Sequence, residues 1–183
     1  MKTIEQLAPT ETDILNSGYN YQSELTPILD ELKGDFNQDV INQIVLWKVN
    51  RFVSIDNESL KLLNQISRSD SELDSELTKK ILIRLLSKDQ KGVRLAMAST
   101  FLRFKNASIY QIIDQRVYRF IYGKELKYSL IKIDQQVTLY LDYLVKLREV
   151  CNKQNVPFEL ADRVFYSMDK NYNTDVNLSG YGS

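Results

Sequence analysis

The sequence predicts an all-α fold, a compact multi-helix domain, on three observations. Its 183 residues are 43% hydrophobic yet include only 6 Gly and 3 Pro, so residues that interrupt helices are scarce. From Val40 onward, apolar residues recur every three or four positions, the helical period. No Pro/Gly/Ser-rich linker separates two halves, and no internal repeat stands out. A chain of this length buries one sizeable core. Residues 1–170 are therefore expected to form a single domain, and residues 171–183, which lack periodicity, a loose tail.

Each element has a local reason. The opening is polar except for ELTPILDELKG, a short amphipathic helix with Gly34 as its stop. In FNQDVINQIVLWKVNRF, residues Val40, Ile44, Val45, Trp47 and Phe52 line one broad face of a core helix. Asp56 or Asn57 caps ESLKLLNQIS, and SRSDSELDSE is an acid-rich entry into LTKKILIRLLSK. After a short turn KGVRLAMASTFLRF forms another helix. ASIYQII is loop or extended chain, and DQRVYRFIYG is a helix stopped by Gly123. KYSLIKIDQQVTLYLDYLVKLREVCNKQ is a long amphipathic helix, with Leu130, Ile133, Val137, Leu141, Leu144 and Val145 at helical spacing. Beyond NVP, FELADRVFYSMDK makes the last helix.

Composition excludes several chemistries. There is no histidine, which removes Ser-His-Asp and Cys-His catalysis and the commonest zinc ligands. Cys151 is the one cysteine, so neither an internal disulfide nor a thiolate metal cluster forms, and a structural thiol is the plain reading. No run approaches the ~20 apolar residues that cross a bilayer, and MKTIEQLAPTETD carries acids where a signal peptide is apolar. A cytoplasmic protein without a membrane partner is expected. The formal charge is zero overall. It is divided, however: residues 1–90 hold 10 Lys+Arg against 15 Asp+Glu, and residues 91–183 hold 14 against 9. A polyanion partner is to be sought in the second half.

One segment, Ile81 to Gly123, combines features that bear on chemistry: ILIRLLSKDQKGVRLAMASTFLRFKNASIYQIIDQRVYRFIYG. A sharp turn into a helix presents free backbone N–H groups at the positive helix end, which suits a phosphate oxygen, and Gly92 permits close approach. Lys88, Lys91 and Arg94 surround that turn and would add sequence-independent attraction to a polyanion such as a nucleic-acid backbone, as would Arg116 further on. Asp114 lies 22 positions after Gly92 and opens the next helix.

This segment resembles the helix-hairpin-helix DNA glycosylase superfamily, in which a helix, a glycine hairpin, a second helix and an aspartate at the start of a third follow in that order. The resemblance implies a helix-hairpin-helix glycosylase-like fold and a monofunctional enzyme that hydrolyses the N-glycosidic bond of a damaged or mispaired base. Asp114 takes the place of the catalytic aspartate, stabilising positive charge at the sugar. The hairpin reads Gln90-Lys91-Gly92-Val93-Arg94 where the family commonly has Leu-Pro-Gly-Val-Gly. Ala96 stands where strand-cutting members carry a lysine, so Schiff-base chemistry is not expected. No counterpart exists for the cysteines that hold an iron-sulfur cluster in some members, so the resemblance implies no cofactor and no metal. An extruded base stacks on aromatic side chains; Trp47, Tyr110 and Tyr118 are candidates.

Each residue also has a plainer role: Asp114 as a helix cap, Gly92 as a turn glycine, the cations as surface charge, the tyrosines as core edges whose hydroxyls reach water. Two alternatives therefore stand beside the enzyme. One is a DNA-binding module of the same fold without the chemistry. The other is a helical interaction protein with no nucleic-acid role.

Overall fold

The computed structural model describes residues 23–31, 43, 46, 53, 55–90 and 92–174. All regular structure among them is helical. The chain divides after Phe52 into two units. Of the first, helix α1, Leu25–Asp30, is described, with Leu25 buried. Gly34 and the expected helix face at Val40, Ile44, Val45, Trp47 and Phe52 lie outside the described residues.

The described residues of the second unit form six α-helices: α2, Asn57–Leu63; α3, Ser75–Leu85; α4, Leu95–Lys105; α5, Gln115–Tyr122; α6, Ile133–Gln154; and α7, Ala161–Tyr172, preceded by a 3-10 turn, Phe158–Leu160. Their starts follow side-chain capping where the sequence supplies it. Asp56 accepts from the Ser59 amide, Asp74 from the Leu77 amide, and Asp114 from the amides of Arg116 and Val117. Each satisfies a first-turn donor otherwise left without a partner. Gly123 ends α5 in the left-handed region at φ 65°. Asn155 does the same for α6 at φ 53°, a conformation asparagine tolerates better than other side chains.

The core of this unit lies where α3, α4, α5 and α6 meet; Leu82, Leu85, Leu95, Ala98, Leu102, Ile113, Val117, Tyr140, Tyr143 and Leu147 are all at 0% exposure. α5 packs chiefly against α7, α2 against α3, and α3 against α6.

Three sequence expectations are corrected here. The long helix begins at Ile133, and Leu130 and Val145 are exposed. Its buried face is Gln136, Val137, Tyr140, Tyr143, Leu144, Leu147 and Cys151. That stripe has the same three-and-four spacing but is rotated from the aliphatic stripe read from the sequence, because two tyrosines supply much of it. Nor do the Tyr140 and Tyr143 hydroxyls reach water: they donate to the carbonyls of Gln111 and Ile112 at 3.0 and 2.8 Å. The last helix also runs to Tyr172, two residues into the segment read as tail.

Candidate functional site

The segment between α4 and α5 decides where Asp114 sits. Residues 106–114 are non-helical, and consecutive residues in them are gripped from two sides. Tyr140 and Tyr143 bond the carbonyls of Gln111 and Ile112 from α6, while the Ile113 amide donates to Ser99 Oγ of α4 at 3.1 Å. The buried Gln111 side chain ties back to the Ala107 carbonyl at 2.7 Å and accepts from the Asp162 amide at 3.4 Å. An extended segment with its backbone groups paired in this way has little freedom. The chain therefore delivers Asp114 to one position beside α4. Ser99 is the fifth of the eleven residues of α4, so the residue before Asp114 is fastened near the middle of that helix.

Asp114 is half-buried. Its Oδ1 accepts from the Arg116 amide at 2.7 Å and the Val117 amide at 3.4 Å. The capping role is thus real, and the carboxylate is held at the positive end of α5. Behind it, α5 is fastened to α7 by a buried ion cluster. Arg119 meets Asp169 through two bonds of 3.0 and 2.6 Å, and Arg116 reaches the same carboxylate at 3.3 Å. Burial alone raises the Asp169 pKa, but the donated bonds from Arg119 and Asn173 outweigh it and leave it below the ordinary value. Gln115 fixes the front of α5 by exchanging two bonds with the Leu126 backbone, 3.1 and 3.2 Å.

The hairpin is similarly anchored. Gln90 is buried and its side chain brackets Asp56, accepting from the Asp56 amide at 3.1 Å and donating to its carboxylate at 2.8 Å. Arg84 donates to the same carboxylate and also pairs with Glu58 at 3.4 Å. The Ser59 amide and then Gln90 and Arg84 hold the Asp56 carboxyl well below the usual aspartate range. Gly92 follows at φ 74°, exposed, and Val93 is buried as the anchor of the turn. Arg94, the residue before α4, supplies no side-chain cap. Lys88, Gly92 and Arg94, which lead into α4, are all exposed.

The aromatic candidates are placed differently. Tyr110 is 2% exposed. Thr78 spends its hydroxyl proton on the Asp74 carbonyl, so Tyr110 donates to Thr78 Oγ1 at 2.9 Å. Tyr118 is buried too, stacked on Tyr122 with ring centroids 4.3 Å apart and flanked by Tyr143 at 6.4 Å. Both rings are core-forming in this arrangement. Arg116 lies over the Tyr166 ring at 5.9 Å while paired with Asp169. Trp47 and Lys91 lie outside the described residues. Surface cavities of about 350 and 360 Å³ sit at the α6 face near Ile109 and at the far end of α4, and Asp114 lines neither.

The structure thus brings the Gly92 turn and Asp114 to the same helix, α4, and carries Tyr110 and Tyr118 into the core. Ser99, Tyr140 and Tyr143, which place Asp114, escaped sequence reasoning. Their one signal was a polar or aromatic residue standing where a helix's apolar stripe should continue. No protein-family model matches the chain, and no curated protein or solved structure matches it significantly.

Proposed function

We propose that this protein is a monofunctional DNA base-excision glycosylase-like enzyme. The reading is carried by one observation: a left-handed glycine turn leads into α4, whose N-terminus Arg94 does not cap, and the residue before a half-buried aspartate at the start of α5 bonds to Ser99 of that same helix. The turn amides with Lys88 and Arg94 would hold a strand through its phosphates. Asp114 would then face the sugar. As the bond between C1′ and the base nitrogen breaks, the electron pair leaves with the base, which takes up a proton. Positive charge develops on the sugar, and a carboxylate beside it stabilises that charge until water adds to C1′ and loses a proton. Ala96, in the first turn of α4, offers no amine, so the product is an abasic site and not a cut strand.

A second reading, a DNA-binding module without the chemistry, draws support from the burial of Tyr110 and Tyr118, which leaves the described residues near Asp114 without an established stacking platform.

One comparison separates the two. Base release from a panel of lesion-containing duplexes is followed by alkali to reveal abasic sites, for the wild type and for Asp114→Asn. Release that falls at least a hundredfold in the variant supports the enzyme. Failure of both proteins to release any base, with salt-sensitive binding retained, supports the silent module. Failure of both release and binding removes both readings.

A further inference from the structure

A second cluster lies at the other end of α4 and is independent of Asp114. Phe104 is 61% exposed, so a face of its ring is open to a planar partner. It lines the cavity of about 360 Å³ together with Arg68, Arg103, Lys105, Asn106 and Ser108. Three of those six residues are cations, and no carboxylate lines the cavity.

The cluster is built on a rigid frame. Asn106 is buried, and its side-chain amide donates to the carbonyls of Ser67 and Asp70 at 2.8 and 3.0 Å, which fastens the turn bearing Arg68 to the end of α4. Its carbonyl oxygen accepts from the amide and hydroxyl of Ser108 at 3.0 and 2.6 Å. The donated bonds hold one loop against the end of α4 and the accepted bonds shape the turn that follows it, and a site held this way is preorganised.

The charges are then counted by partner. Arg103 is neutralised in place: it contacts Asp162 at 3.5 Å and donates to the Glu159 carbonyl at 3.3 Å. Its guanidinium also sits 5.2 Å from the Phe104 centroid, which steadies the ring. Asp70 turns its carboxylate to the Ser67 amide at 2.9 Å. Lys105 bonds only a neutral group, Asn64 Oδ1, at 2.9 Å. Arg68 is exposed at the rim. The carbonyl end of α4 disfavours an anion by itself, and Arg103 and Lys105 in its last turn offset that. What remains is an exposed ring beside two cations whose charge no carboxylate at the cavity cancels.

We propose that this cavity binds a nucleotide unit, its base stacked on Phe104 and its phosphate between Arg68 and Lys105. A flat π-face answers the ring, and an oxyanion answers the cations. The volume falls in the range of small-ligand sites. A free nucleotide and an unpaired strand share this chemistry. Phe104 stands nine residues beyond Leu95, about 14 Å along α4, so the unit bound here is not the one at the Gly92 turn.

The test is calorimetric titration of the full chain at low salt with AMP, ribose 5-phosphate and an oligothymidine. AMP is expected to bind at least tenfold more tightly than ribose 5-phosphate. Phe104→Ala should weaken AMP at least tenfold, and so should the double variant Arg68→Ala, Lys105→Ala. All three side chains are at the surface, and unchanged circular dichroism would verify folding. AMP stronger than oligothymidine per site identifies a free nucleotide as the ligand, and the reverse order identifies an unpaired strand. Three results would overturn the proposal: ribose 5-phosphate binding as well as AMP, affinity unaffected by Phe104→Ala, or no binding of any probe.

Discussion

Asp114 carries two burdens that single substitutions can separate. As a cap it accepts from the Arg116 and Val117 amides; as a charge it would act on the sugar. Asparagine keeps the acceptor and removes the charge. Asp114→Ala should therefore lower stability by ~1 kcal/mol, whereas Asp114→Asn should change it little, measured by urea unfolding. Equal losses in the two variants would mean that the carboxylate charge itself matters to the fold. The buried Asp169 is a harsher case. At 0% exposure it satisfies Arg119 twice and Arg116 once. Asp169→Ala would strand buried guanidinium charge, with an expected cost of ~3–5 kcal/mol, read as a large fall in urea midpoint. The cap at Asp114 was legible in the sequence, since an aspartate precedes a periodic run. The partner of Asp169 was not, because the two arginines lie 53 and 50 positions away.

At the scale of elements, the hairpin and the start of α2 form one electrostatic unit. The Asp56 carboxyl titrates below the ordinary aspartate value of 3.8, as does that of Asp169. A carboxylate with a depressed folded-state pKa adds stability that is fully present above its unfolded value. That contribution is lost as pH falls through the folded value. Melting temperature should therefore hold steady from neutral pH to about 5 and decline below about 4. Asp56→Asn should flatten part of that decline. A profile identical to wild type would show that the Asp56 contacts with Ser59, Gln90 and Arg84 do not persist in solution. The sequence offered Asp56 or Asn57 as the cap here, but Gln90 read merely as hairpin, because its bond to Asp56 spans 34 positions.

For the whole molecule, zero net charge conceals a divided one, and the proposed clamp concentrates cations at one turn. If Lys88, Lys91 and Arg94 neutralise about two or three phosphates, the logarithm of the binding constant should fall with the logarithm of salt at a slope of about −2 to −3. Lys88→Ala combined with Arg94→Ala should reduce the slope by about 2. Filter binding at several salt concentrations measures it, and an unaltered slope would move the DNA contact away from the hairpin. No described helix is long and apolar enough to cross a membrane.

Local chemistry alone determined that this chain is helical and where most described helices of the second unit begin and end. Caps, left-handed stops and three-and-four spacing act within a few residues, so they can be read in order along the chain. Only the tertiary structure decided which face of α6 is buried. The aliphatic stripe pointed to Leu130 and Val145, but the carbonyls of Gln111 and Ile112 needed donors, and Tyr140 and Tyr143 supply them from the buried face. The same demand drew Tyr110 inward to Thr78, 32 positions away. Tertiary contact likewise set Phe104 at the surface beside Arg68, through an asparagine whose two bonds to the Ser67 and Asp70 carbonyls join segments distant in sequence. The physical reason is common to these cases. A buried polar group must find a partner, and the sequence names the group without saying which distant backbone will meet it.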